Sequence, residues 1–263
     1  MAGSGASVSA ERIGRTLVLT MQTQKLTISA MERLADELTA AASGSELAAV
    51  VLTGRGDTFC RGGELGDYTT GSTLDVMRFG QAFIALHRAI TGIDLPVIAA
   101  VNGAAFGGGL NLVEASDLAI AARSARFSVP EVRAGLAPMM ALVGVRRLMG
   151  RKSSMWMALT GDELNAQTAY EIGLVNQVVD DAEVLASALD VARRLVSSNP
   201  VAIRLVKAAY RAMDEGQYER QLLQGLHHLV VLLGSPEAKE AYRARVEGRP
   251  FRGRPARDSS AVS

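Results

Sequence analysis

Two glycine clusters are the residues in this chain whose type and spacing first suggest chemistry. Cys60-Arg61-Gly62-Gly63-Glu64-Leu65 follows one short apolar run, and Ala105-Phe106-Gly107-Gly108-Gly109-Leu110-Asn111 follows another. Glycine carries no side chain to hold a ligand away from the backbone, so each turn can bring N–H groups close to a bound oxygen. The second cluster runs into a helical pattern, where unsatisfied first-turn N–H groups and the helix dipole both favour negative charge. Together the two turns can form an oxyanion hole. Either cluster alone reads equally well as a tight turn or a close helix-sheet contact.

Other chemistries lack their residues. There is no G-x-x-x-x-G-K-[ST], and the glycine triplet lacks G-x-G-x-x-G spacing directly after its strand, so a nucleotide-phosphate cradle is disfavoured. No G-x-S-x-G occurs, and none of the three histidines, His87, His227 and His228, lies beside a candidate nucleophile and an acid. The single cysteine, Cys60, cannot bridge within the chain and has no adjacent histidine to activate it, so it reads as a small buried residue in a reducing compartment. No Cys/His group has metal-ligand spacing, and no metal is expected.

The elements around these turns follow from hydrophobic spacing. RTLVLTM alternates like a strand, and Thr27 can cap a helix whose apolar positions are Ile28, Met31, Leu34 and Leu38. AAVVLTG reads as a strand buried on both faces and closed by Gly54. Val76, Phe79, Phe83, Leu86 and Ile90 mark a second helix, and LPVIAAVNG a second buried strand. DLAIAA and LVNQVV supply two more, with helical patterns between and after them. This order predicts an α/β fold with a mostly parallel sheet and crossover helices. Trp156, in the helical pattern SSMWMAL, reads as core. Beyond residue 181 only helices are visible. Leu222, Leu226, Leu229, Val230 and Leu233 form one apolar stripe, suited to covering a substrate or to packing against a second subunit.

The expected organisation is a flexible tail over 1–10, an α/β core over 11–195, a C-terminal helical region over 196–250, and a mobile tail over 251–263 rich in Arg, Gly, Pro and Ser. At 263 residues and 48% hydrophobic composition, the chain can build one large core. Twenty-eight basic residues against twenty-seven acidic ones give no electrostatic case for nucleic-acid or membrane binding. No run approaches the ~18 apolar residues of a membrane span, and MAGSGASVSAERIG has neither part of a secretory signal. A cytoplasmic protein with a small-molecule partner is expected.

In combination, AAVVLTGRGDTFCRGGEL, PVIAAVNGAAFGGGLNLVEASDLAIAARSARFSVPEVRAGLAP and ALTGDELNAQTAYEIGLVNQVV resemble the crotonase superfamily, also called the enoyl-CoA hydratase/isomerase family. The similarity covers most of residues 15 to 250. It implies a ββα spiral core with a C-terminal helical region, a trimer or dimer of trimers, and an acyl-CoA substrate with no separate cofactor. By resemblance, Gly63 and Gly108 donate the two oxyanion-hole N–H groups to a thioester carbonyl. Family hydratases place two glutamates about a water. Glu131, in FSVPEVRAGLAP, matches the later one and is implied as the acid/base, whereas Asn111 stands at the earlier position and cannot accept a proton. Glu114, three residues beyond Asn111, is a possible partial replacement.

Tyr68, Met139 and Met140 are expected to line the acyl cavity, the methionines where relatives have further glycines. The loop MQTQKL is shorter than its counterparts, and Lys25 and Arg61, with Arg55, are the cations left to contact CoA or a carrier-protein thioester. The implied reaction is hydration/dehydration or double-bond isomerisation. Decarboxylation, C–C cleavage, dehalogenation and non-catalytic acyl-CoA binding on the same scaffold are the alternatives.

Overall fold

The structure is a computed structural model that describes residues 7–43, 46–66 and 72–249, apart from the side chains of 214–219 and 237. In chain order its elements are β1 (Val8–Ile13), β2 (Thr16–Met21), α1 (Ile28–Ser43), β3 (Ala49–Gly54), β4 (Thr58–Cys60), α2 (Thr73–Gly92) and β5 (Val97–Val101). They continue with β6 (Ala104–Phe106), α3 (Gly108–Ala115), β7 (Leu118–Ala122), β8 (Arg126–Ser128), a 3-10 turn (Pro130–Ala134), α4 (Ala141–Leu148) and α5 (Arg151–Thr160). Last come β9 (Leu164–Asn165), α6 (Ala166–Glu171), β10 (Gln177–Val179), α7 (Val184–Val196), α8 (Pro200–Gly234) and α9 (Pro236–Val246).

Three times the chain lays one strand in a larger sheet, one in a smaller sheet, and then a helix: β3-β4-α2, β5-β6-α3, and β7-β8 before α4. The larger sheet has the order β1-β2-β3-β5-β7-β10, parallel except for the β1/β2 hairpin. The smaller has the order β4-β6-β8-β9. This repeat is the ββα spiral that the resemblance implies. The strands β3 and β5 are buried along their whole length, as their unbroken apolar runs require.

The first two passages between the sheets, β3 to β4 and β5 to β6, need glycine and a polar staple. A β-carbon on Gly54 would collide with the backbone of Thr58 and Phe59, and one on Gly103 with that of Asp57. Asn102 ties the two passages together: its amide donates to Gly54 O at 3.0 Å and Gly56 O at 2.7 Å, while its Oδ1 accepts from Gly54 N at 3.1 Å. The glycine-rich segments after β4 and β6 are thereby held side by side.

Helix α1 starts where expected, with Thr27 Oγ1 accepting from Ala30 N at 3.1 Å. Ser72 and Asp75 form a capping box at the start of α2, and Val76, Phe79, Phe83, Leu86 and Ile90 are buried. Helix α8 is anchored in its first half by Lys207, whose Nζ donates to Asp117 Oδ2 at 2.7 Å and Leu95 O at 2.9 Å. Its second half carries Leu222, Leu226, Leu229 and Leu233, all buried. Leu226 fills the space over Gly80 of α2, and Gly225 brings α8 against Met139 O.

Two expectations are corrected. The N-terminal tail does not run to residue 10, because Val8–Ile13 pairs antiparallel with Thr16–Met21 through a six-residue ladder. Its side chains are mostly exposed, so main-chain bonding and not burial holds this edge strand. Trp156 is not core: it is 63% exposed, and its indole N–H donates to Asp162 Oδ2 at 3.0 Å. The buried face of α5 is formed by Ser154, Met157 and Ala158, nearly opposite the tryptophan on the helix wheel. The boundary placed at 195/196 falls at the end of α7, and the region beyond it is α8 and α9. Residues 1–6 and 250–263 and the expected site residue Tyr68 lie outside the described residues.

Candidate active site

A cavity of about 400 Å³ opens between the two glycine turns, the 3-10 turn, the loop 136–140 and the C-terminal helices. Its first wall is the turn after β4. Leu26 N donates to Gly62 O at 2.8 Å and Glu64 N to Leu26 O at 2.9 Å, a parallel bridge that turns the Gly63 N–H the other way, towards the cavity. Gly62 has φ +96°, a conformation that favours glycine.

The second wall is the turn before α3. Gly107 has φ +50° and donates its N–H to Ser128 O at 2.9 Å. Gly108 is the first residue of α3, so its N–H has no partner within the helix. The turns are nearly in contact: a β-carbon on Gly62 would lie 3.7 Å from Gly108 N, and one on Gly108 would lie 3.7 Å from Gly63 N. Among the described residues, neither the Gly63 nor the Gly108 amide has an acceptor.

Glu131 approaches from the 3-10 turn. Pro130 starts the turn, and Leu136 N closes it on Glu131 O at 3.0 Å. Arg133 locks the turn onto the end of α5, donating to Thr160 O at 3.0 Å and to Asp162 Oδ1 at 2.6 Å. Ser128 Oγ donates to Gly161 O at 2.9 Å in the same corner. The end of α5 therefore supports both the Glu131 turn and, through Ser128, the Gly107 turn. A β-carbon on Gly107 would lie 2.6 Å from Glu131 Oε1, while Oε2 is buried without a hydrogen-bond partner. Burial raises the Glu131 pKa from 4.5 to about 7, the opposing backbone hydrogen bond being the smaller effect.

Asn111 lines the same cavity at 2% exposure, and neither end of its amide has a hydrogen-bond partner. A buried amide and a buried carboxyl oxygen thus face one space with capacity unused, which suits a ligand that brings its own donors and acceptors. Glu114 does not line this space. It points away, its Oε2 standing 3.4 Å from His87 Nε2 in a buried pair, so it does not replace a carboxylate at position 111.

Met139 and Met140 line the cavity, as do Lys25 and Arg61 at its exposed side, where the Arg61 guanidinium lies 5.9 Å from the Phe106 ring centroid. Arg55 is not part of the lining. Phe79 and Phe83 also reach it, although their spacing on α2 suggested only a core face. Leu229 belongs to the stripe expected to cover a substrate or a subunit contact, and it lines the cavity. Arg133, Leu136 and Arg245 line it without having carried any sequence signal of their own. Cys60 is fully buried behind the first turn, and desolvation pushes its thiol up to about 11. Among the described residues, no helix is long and apolar enough to cross a membrane and no group of acidic, histidine or cysteine side chains could hold a metal ion.

Residues 17–253 match the family model described as enoyl-CoA hydratase/isomerase. The chain is 30% identical to the short-chain-enoyl-CoA hydratase of Clostridium acetobutylicum over 256 residues, covering 94% of this chain and 97% of that protein. It is 36% identical over 210 residues to the carnitinyl-CoA dehydratase of Salmonella typhi, covering 78% and 80% of the two chains. A crystal structure of carnitinyl-CoA hydratase from Mycobacterium avium superposes with a TM-score of 0.83 at 31% identity, covering 95% of this chain and 99% of that one.

Proposed function

Because the chain belongs to the enoyl-CoA hydratase/isomerase family, we propose that it acts on an acyl-CoA thioester whose carbonyl oxygen is held by the Gly63 and Gly108 N–H groups while Glu131 moves a proton. The observation that carries this reading is the meeting of two unused backbone donors and one buried carboxyl group in a single cavity. Donors aimed at a thioester oxygen stabilise the enolate that forms when the α carbon gains or loses a proton, and each is worth ~3 to 4 kcal/mol. A carboxyl group with a pKa of about 7 is present in both protonation states near neutrality, which suits it to give and to take a proton.

The relatives' names favour addition and removal of water. In the hydration direction, water oxygen bonds to the β carbon as electrons move into the thioester carbonyl, and the oxygen of the resulting enolate rests on the two amides. Glu131 gives its proton to the α carbon and receives the proton released by the water, so the enzyme ends as it began. One carboxyl group with two oxygens serves both transfers, since the Asn111 amide accepts no proton. Dehydration is the reverse.

The single carboxyl group also supports a second reading, double-bond isomerisation, in which Glu131 carries a proton between the α and γ carbons and no water is activated. Incubation with 2-enoyl-, 3-enoyl- and 3-hydroxyacyl-CoA separates the two. Interconversion of 2-enoyl and 3-hydroxy thioesters supports hydration, and interconversion of 2-enoyl and 3-enoyl thioesters supports isomerisation. Absence of both across a broad acyl panel, with Glu131→Gln changing nothing on any thioester, would refute the proposal and leave the decarboxylase, C–C lyase, dehalogenase and acyl-CoA-binding alternatives.

A further inference from the structure

Behind Asn111 lies a polar group that the proton-transfer chemistry does not use. Asn111 and Glu114 project from adjacent turns of α3, three residues apart on the same side of the helix. Both reach Gly144 of α4: a β-carbon on that glycine would lie 2.8 Å from Asn111 Nδ2 and 2.7 Å from Glu114 Oε2. Glu114 is therefore next to the nitrogen end of the amide, while His87 of α2 stands 3.4 Å from the same carboxyl oxygen. The side chains of His87 and Glu114 are 6% and 7% exposed, and Asn111 is 2% exposed. Three polar side chains follow one another from cavity to interior, a run that is costly to bury unless its members are hydrogen-bonded.

The chemistry of the run sets its polarity. A carboxylate accepts and does not donate, so of the two ends of the amide it is the NH₂ that belongs on the Glu114 side. Asn111 Nδ2 makes no hydrogen bond as it stands, so the pairing requires the amide to turn about its terminal torsion when a donor engages Oδ1. A free amide offers NH₂ or C=O to the cavity with little preference. One tethered at its nitrogen offers only C=O.

We propose that Glu114, backed by His87, is a positioning residue that turns the Asn111 carbonyl oxygen to the cavity, where it accepts a hydrogen bond from the water or β-hydroxyl group of the substrate. The inference rests on the hydration reading above. It gives the position next to Glu131 an aimed acceptor in place of a base, which orients the water without taking its proton. It also favours a β-substituent that can donate, hydroxyl over a group with only acceptors. Gly144 belongs to the device, because any side chain there would occupy the space between the two groups.

An exchange of side chains tests this. Asn111→Asp faces one carboxyl group with another, and Glu114→Gln faces one amide with another, so each is expected to lower kcat by about tenfold with KM changed less than about threefold. The double variant Asn111→Asp/Glu114→Gln restores an amide-carboxyl pair with an acceptor still facing the cavity, and its kcat is expected to recover to within about threefold of the parent. Glu114→Gln with unchanged kcat, or losses that multiply in the double variant, would overturn the proposal.

Selective ¹⁵N-asparagine labelling gives a readout that does not depend on turnover. The Asn111 side-chain NH₂ signals, identified by their disappearance in Asn111→Asp, should move in Glu114→Gln, and unmoved signals overturn the pairing. Failure of the hydration reading looks different, because the parent enzyme then does not interconvert 2-enoyl- and 3-hydroxyacyl-CoA, whatever the Asn111 signals do.

Discussion

Gly107 and Glu131 face each other so closely that a β-carbon on the glycine would lie 2.6 Å from Oε1 of the glutamate. The contact links the turn that starts α3 to the 3-10 turn that carries the carboxyl group, and it leaves room for hydrogen only.

Gly107→Ala tests the contact. The alanine methyl would displace the Glu131 carboxyl group, and φ +50° with ψ −117° is a conformation costing a non-glycine residue about 1 to 3 kcal/mol. Turnover is expected to fall by about 100-fold, with a lowered melting temperature. A Gly107→Ala enzyme of parental activity would show that the carboxyl group does not need its present place.

Glu131→Gln should change stability in a pH-dependent way. Burial raises the folded-state pKa of Glu131 from 4.5 to about 7, so folding takes up a proton between those values. The penalty of ionising the buried group is absent below about pH 4.5, grows through the window, and is complete above about pH 7. Glutamine removes it, and the variant should gain ~1 to 3 kcal/mol over the parent at pH 8 but little at pH 4.5. Urea titrations at the two pH values measure the difference, and a gain of equal size at both would contradict the burial argument.

Asp162→Asn should weaken the support of Glu131 without unfolding the protein. The Arg133–Asp162 pair is half exposed, at 55% and 44% of the side chains, so its contribution to stability is below about 1 kcal/mol. The expected effect is a loss of about three- to tenfold in kcat. Trp156, the only tryptophan, donates to the same aspartate, so its fluorescence reports directly whether the corner has rearranged. Unchanged kcat with shifted fluorescence would show that the corner is structural alone.

The long periodic elements were legible before the fold was seen, and the short ones were not. Thr27, Gly54 and the Val76–Ile90 face announced α1, β3 and α2, because each sits within or beside a run long enough to show its period. The smaller sheet left no trace. Thr58–Cys60, Ala104–Phe106 and Arg126–Ser128 are three residues each, too short for alternation to show, and tertiary pairing alone makes them strands. The edge strand β1 escaped because Glu11 and Arg12 break its apolar pattern. Trp156 misled because side-chain type outweighed its place on the helix wheel.

The candidate site was legible where glycines mark it. Gly63 and Gly108 flank the cavity because the two sheet passages, stapled by Asn102, set their turns side by side. Arg133, Leu136 and Arg245 could not be read, since what brings them there is the docking of α9 on the 3-10 turn, where Gly135 meets Ala241. A likeness in sequence spacing carries no record of such long-range contacts.

Cys60 should be inert in the native protein. It is fully buried, and its thiol is pushed up to about 11, so thiolate is scarce at neutral pH. A thiol reagent at pH 8 should label less than about 5% of the native protein in the time that labels all of the urea-unfolded chain. Rapid native labelling would place the first glycine turn in a more open arrangement.

The central claim, that Glu131 moves the proton next to a thioester held on the Gly63 and Gly108 amides, is tested most directly by following hydrogen at the α carbon. A saturated or 3-hydroxy acyl-CoA incubated in D₂O with the parent enzyme should gain deuterium at that carbon, read by mass spectrometry. Glu131→Gln should slow the gain by about 10² to 10⁴-fold while still binding the thioester. Deuterium entering at the parental rate in Glu131→Gln would contradict the account.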